Sequence, residues 1–237
     1  MRQALQEIRA AGGGAAGLGG MCPACLRVLP VTGVAISTLC GSTASETVCA
    51  SDDVAFRIDE MQFDLGEGPC WEAFAGRKPV SVPDIRAEPH QHWPIFGDAV
   101  LVTGAQALFA FPLFVGTTGV GSLGLYRTTA GAMNDEAFDR AERLAGTVAK
   151  YLLRRILAAA ADGGGDPSSP TDPWQDSPHD RREIHQATGI VMNQLSLPVG
   201  AAFARLRGHA FAAGETMAEV AHDVITHQLL LGSSGPS

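Results

Sequence analysis

Five cysteines and a C-terminal concentration of histidines, with a few arginine and amide side chains beside them, carry most of the chemistry this 237-residue chain could perform. Cys22 and Cys25 form C-x-x-C, half of a zinc set. Cys40, Cys49 and Cys70 are dispersed, and no second C-x-x-C or paired histidine motif supplies the remaining ligands. On a helix, positions 22 and 25 share one face, so core packing of reduced thiols is the expectation, with no metal and no cofactor. Cys70 follows Gly66-Glu67-Gly68-Pro69 and opens a helical run. A thiol at a helix N-terminus can ionise and react, whereas a thiol packed under a sheet is inert; both readings stand. His90 and His92 flank Gln91 beside Trp93 in a loop, an arrangement more often exposed than metal-bound. No Ser-His-Asp order, phosphate-binding loop or carboxylate pair stands out, so no catalytic residue and no enzyme is expected.

The second group sits on helical spacing. Ile184, Ala187, Val191 and Leu195 make an apolar stripe, and Arg181, His185, Thr188 and Met192 fall on another face. Gly189 interrupts the same helix at a cost of about 1 kcal/mol against Ala. A glycine there allows close approach of a second backbone, either a neighbouring helix or a nucleic acid. Arg205, Arg207 and His209 follow on the next helical segment.

These groups need elements to position them. Strand patterns occur at 31–38, 107–115 and 121–127, with shorter ones at 47–50 and 80–82. Segments 107–115 and 121–127 read as a hairpin through Gly116–Val120. Helical patterns cover 21–29, 67–75, 92–103 and 134–161, the last capped by Asn134. This mixture predicts an α+β domain around a mainly antiparallel sheet. The apolar segment from Phe96 to Phe114 suits either a core or a small-molecule pocket. The C-terminal half of 134–161 is apolar on more than one face, which suits a dimer seam or an antiparallel partner for 179–195.

A Gly/Pro/Ser/Asp-rich stretch, 163–177, cannot support a helix interior or a central strand and reads as a linker. Beyond it lie three helical segments and no strand pattern, with capping-box spacing at Thr216 and Glu219. The expected division is an N-terminal extension (1–20), a mixed domain with its long helix (21–162), the linker, an all-α three-helix domain (178–230) and a tail (231–237). The net charge of −8 is the wrong sign for coating nucleic acid, so any such binding must be local. No stretch approaches the ~18 apolar residues of a membrane span, and the first twenty residues lack the apolar run of an export signal. A cytoplasmic protein without membrane contact is expected.

Two stretches resemble known families. DLGEGPCWEAFAGRKPVSVPDI (64–85) with WPIFGDAVLVTGAQALFAFPLFVGTTGVGSLGLYR (93–127) resembles the GAF domain of actinobacterial regulators. REIHQATGIVMNQLSLPVGAAFARLRGHAFAAGETMAEVAHDV (182–224) resembles the ANTAR domain that follows GAF in such regulators. The resemblance implies a transcription antitermination regulator. Its GAF domain would sense a small molecule or a partner, and its ANTAR domain would bind paired hairpins of a nascent leader transcript, as a homodimer and without DNA. On that reading the RNA-binding residues are Arg181, His185, Gln186, Thr188, Gly189, Arg205, Arg207 and His209. The arginines and His209 suit phosphates, and Gln186 and Thr188 suit exposed bases. Thr188 stands where the wider family often has Lys, and Glu215 where the loop often has a basic residue. With four arginines and no lysine in the module, RNA binding would be weak, highly loop-specific or dependent on dimerisation. Two other functions fit parts of the pattern: a ligand-sensing dimer whose ANTAR-like tail contacts protein, and a cysteine-dependent free methionine sulfoxide reductase.

Overall fold

The computed structural model describes residues 20–39, 45–87, 92–161 and 181–229, with the single positions 6 and 231. The linker 163–177, Cys40 and His90 lie outside the described residues, as do nearly all of the N-terminal extension and the tail.

The chain runs α1 (Met21–Leu26), β1 (Gly33–Thr38), β2 (Thr47–Ala50), α2 (Asp53–Leu65), α3 (Pro69–Gly76), β3 (Val80–Val82), α4 (Pro94–Val100), a 3-10 turn (Leu101–Thr103), β4 (Ala107–Val115), β5 (Thr118–Arg127) and α5 (Asp135–Ala161). Then come α6 (Arg182–Leu195), α7 (Val199–Ala213) and α8 (Met217–Ile225). The strands form one antiparallel sheet in the order β2-β1-β5-β4-β3. The expected hairpin is present, with β5 starting earlier, at Thr118.

Both faces of the sheet are covered, because alternate residues along each strand are apolar. Val34, Ile36, Phe109, Phe111, Leu123 and Leu125 face α1 and α5, where Leu144, Val148 and Leu152 meet them. Ala35, Leu108 and Tyr126 face the other way, toward Ile58 of α2 and Phe96 and Val100 of α4. Asn134 caps α5, its Oδ1 accepting from Ala137 N at 2.8 Å. α5 packs across β4 and β5 and beside α1, while α6 packs on α7 and α8. The expected pairing of α5 with 179–195 is therefore not what the fold uses, and Leu157 near the end of α5 stays 58% exposed.

One element absent from the sequence reading is α2. Asp52 caps its start, accepting from Ala55 N at 2.9 Å, and Gly66 ends it at φ 66°. Its buried positions, Ala55, Ile58, Asp59, Gln62 and Phe63, follow helical spacing but include two polar residues.

The three C-terminal helices form a small bundle. Ile184, Ala187 and Val191 of α6 meet Ala202, Phe203 and Leu206 of α7 and Val220, Ala221 and Val224 of α8. Thr216 and Glu219 form the expected capping box. Phe63 of α2 belongs to this bundle's core, its ring 5.6 Å from that of Phe203 in an edge-on contact.

Candidate nucleic-acid interface

The bundle presents two unlike faces. Gln186 and Gly189 of α6 are exposed, as is Arg205 of α7. A Cβ placed on Gly189 would meet nothing within 4 Å, so none of the described helices packs against it. Close helix packing does not explain that glycine. The backbone of α6 is bare there and accessible to an outside partner.

The opposite face is closed by the sheet domain. Arg181, just before α6, is only 4% exposed. Its Nη2 donates to Asp59 Oδ2 at 3.2 Å and to Glu60 Oε1 at 3.1 Å, and its Nη1 donates to the Ser45 carbonyl at 3.4 Å. The guanidinium lies 3.7 Å over the Phe63 ring, and the Arg181 backbone N–H donates to Glu46 Oε2 at 3.1 Å. His185 Nδ1 is 3.4 Å from Glu46 Oε1. Asp59 is tied inward as well, accepting from Ser37 Oγ of β1 and, at 2.7 Å, from Thr47 Oγ1 of β2. One buried carboxylate thus joins two strands, α2 and the start of α6.

Arg207 is half-buried over Phe203 (4.8 Å) and Trp71 (5.7 Å) and packs against Gly66. Burial lowers its pKa, and the Asp64 carboxylate is the charge that offsets this. Asp64 is in turn pushed up to about 6, first by burial and then by Glu60. Arg181, the Met217 N–H and Arg207 pull the other way. Thr188 is buried, its hydroxyl donating to the Ile184 carbonyl at 2.7 Å, and His209 is half-buried. Of the eight residues expected to bind RNA, Gln186, Gly189 and Arg205 are exposed. Arg181 and Thr188 are covered, and His185, Arg207 and His209 lie between.

The cysteines end up differently from expectation. Cys22 and Cys49 form a disulfide linking α1 to β2, with Cα atoms 6.2 Å apart. Reduced thiols were expected there; instead the sheet register and the buried face of α1 bring the two sulfurs together. Cys25 and Cys70 are free and buried, and burial pushes each thiol up to about 12. Cys70 therefore follows the inert reading despite its helix N-terminus. Among the described residues no group of three or more His, Cys, Asp and Glu could hold a metal, and no helix is long and apolar enough to cross a membrane. A cavity of about 20 Å³, water-sized, lies between the sheet and α2, lined by Ile58, Asp59, Gln62, Cys70, Phe109 and Tyr126 among others.

An antiparallel sheet between two helical layers, extended by a three-helix module docked on one of them, defines a two-part protein. A model of the GAF domain family matches residues 3–152, and a model of the ANTAR domain matches residues 175–225. The chain belongs to the GAF domain family and carries an ANTAR domain after it, the build of a regulator. Among solved structures, the GAF domain of an Acinetobacter phosphoenolpyruvate-protein phosphotransferase is similar over 70% of this chain and 95% of that one, at 13% identity and a TM-score of 0.51. Free methionine-R-sulfoxide reductase from Neisseria meningitidis, solved with its substrate, is similar over 66% of this chain and 90% of that one, at 17% identity and a TM-score of 0.47. At 13% identity the first of these likenesses is one of fold alone. No curated protein matches the chain.

Proposed function

We propose that this chain is a signal-responsive transcription antitermination regulator. Its GAF domain senses a small molecule or a partner, and its ANTAR domain binds paired hairpins of nascent RNA. The observation that supports this best is the exposure of Gln186, Gly189 and Arg205 on the bundle. Gln186 offers an amide for base edges, Arg205 a guanidinium for phosphate, and bare Gly189 lets a backbone approach closely. All three lie within the residues matched by the ANTAR domain. The protein would work as a homodimer in the cytoplasm, and exposed Leu157 at the end of α5 supports a seam there.

Titrating the full chain against an RNA with two adjacent short-stem hairpins, and against unrelated hairpins, tests the reading. Preference for the paired hairpins, lost in Gln186→Ala and Arg205→Ala variants, is expected. Equal binding to all hairpins at moderate salt would sink it. The extensive burial of Arg181 against protein favours one second reading, an ANTAR-like module used for protein contacts alone. The same titration separates the two.

A further inference from the structure

The bundle holds four arginines and no lysine. Arg205 is exposed and Arg182 is half-buried, but the other two are pressed onto α2. Arg181 is enclosed by Asp59, Glu60, the Ser45 carbonyl and the Phe63 ring, and cannot touch a phosphate without leaving them. Carboxylates are the chemical competitors of phosphate for a guanidinium, offering the same planar acceptor geometry.

We propose that this docked arrangement is an autoinhibited state, in which α2 of the GAF domain withholds Arg181 and Arg207 from RNA and release of the bundle turns both into phosphate contacts. This rests on the RNA-binding reading above.

Two features of the contact support release rather than a permanent joint. First, Arg207 is held poorly: its Nε and Nη2 are buried without a hydrogen-bond partner among the described residues. A dehydrated guanidinium with unused donors gains by moving to a phosphate, which would fill them. Second, α2 is shared. Its Ile58, Asp59 and Gln62 line the cavity over the sheet, while Asp59, Glu60 and Phe63 hold the bundle. That cavity is only about 20 Å³, so a larger occupant has to push back its lining, and α2, which contributes Ile58, Asp59 and Gln62, would carry its carboxylates away from Arg181 as it moves. An event inside the GAF domain thereby reaches the RNA face through one helix.

The size of the effect follows from charge. Each phosphate contact on single-stranded RNA contributes ~0.7 to the slope of log affinity against log salt, so two recovered contacts are worth ten-fold or more near 0.1 M salt. The test uses the full chain with Glu60→Lys and Asp64→Lys, both half-buried on α2 and neither an RNA contact. Small-angle X-ray scattering reads release, and titration with the two-hairpin RNA reads binding. The expected result is a larger radius of gyration, at least ten-fold tighter binding and a steeper salt dependence than the parent. An opened variant that binds no tighter than the parent overturns autoinhibition. An opened variant and a parent that both ignore the RNA overturn the RNA reading itself. Should the double reversal fail to fold, Glu60→Gln alone removes one of the two carboxylates that hold Arg181. It must show the same direction, and no gain in affinity upon opening again overturns the proposal.

Discussion

The sheet domain closes its core with its own residues, α1 and α5 on one face and α2 and α4 on the other, whereas the ANTAR bundle completes its core with a side chain it does not own. Phe63 stands on α2, yet it belongs to the bundle's core and its ring meets that of Phe203 edge-on. The difference follows from size. Three short helices expose too much of their surface to be stable alone, so the bundle needs either a docking surface or another partner. A module built this way can be switched, because its stability and its accessibility depend on the same contact.

Removing that ring tests the dependence most severely. Phe63→Ala should cost about 3 kcal/mol or more, the usual toll of deleting a buried phenyl. The loss should appear as faster amide hydrogen exchange throughout α6, α7 and α8, with β4 and β5 keeping their protection. Uniform loss in both regions would mean that the two cores are one cooperative unit. The Cys22–Cys49 bond probes the other side of the comparison. It closes a separation of 27 residues, for which loop entropy gives roughly 3 kcal/mol. Reduction or Cys22→Ala/Cys49→Ala should lower the stability of the sheet domain to urea by about that much and leave exchange in the bundle unchanged. An equal change in the bundle would break the distinction.

How these two cores were legible in sequence also differs. The five strands, the long helix with its Asn134 cap, and the Thr216/Glu219 box were readable, because period and capping chemistry are local. The α2 helix was not, although Asp52 and Gly66 mark its ends. Its buried stripe carries Asp59 and Gln62, which break the apolar period, and those polar residues are buried only because Ser37, Thr47 and Arg181 reach them from elsewhere in the chain. Missing α2 meant missing the docking. In sequence Arg181, Thr188 and Gln186 read alike as RNA contacts, whereas tertiary contacts cover the first two and leave the third exposed. The disulfide was hidden for a similar reason: nothing within 27 residues of sequence sets Cys22 opposite Cys49 until the sheet register does.

The docked contact should also respond to pH. Asp64 lies among Glu60, Arg181, Arg207 and the Met217 N–H, with burial lifting it to about 6. Undocked on the surface of α2, it returns toward its ordinary value near 3.8. A group whose pKa is raised by docking favours docking in its protonated form. The added strength is fully present below the undocked value and is lost as pH rises through about 6. Lowering pH from 7.5 to 5 should then favour the docked form by roughly ten-fold, read by scattering or by a fluorescent pair across α2 and α7. His185 faces Glu46 at the same contact, 3.4 Å away. Asp64→Asn therefore decides the assignment: if its dependence on pH matches the parent's, Asp64 is not the group responsible.

The smallest effect belongs wholly to the bundle. Thr216 Oγ1 accepts from Glu219 N at 3.2 Å, while Glu219 Oε2 accepts from Thr216 N at 2.8 Å, so α8 starts on two reciprocal bonds. Losing a threonine N-cap costs about 1 kcal/mol. Thr216→Ala should accelerate exchange at the first turn of α8 and lower the bundle's midpoint slightly, with the sheet domain unaffected. Because Met217 follows the cap and its N–H faces Asp64, the same change should loosen docking a little. If exchange changes in α8 while the scattering profile stays that of the parent, α8 frays without help from α2. Arg181 and Phe63 then hold the bundle in place by themselves.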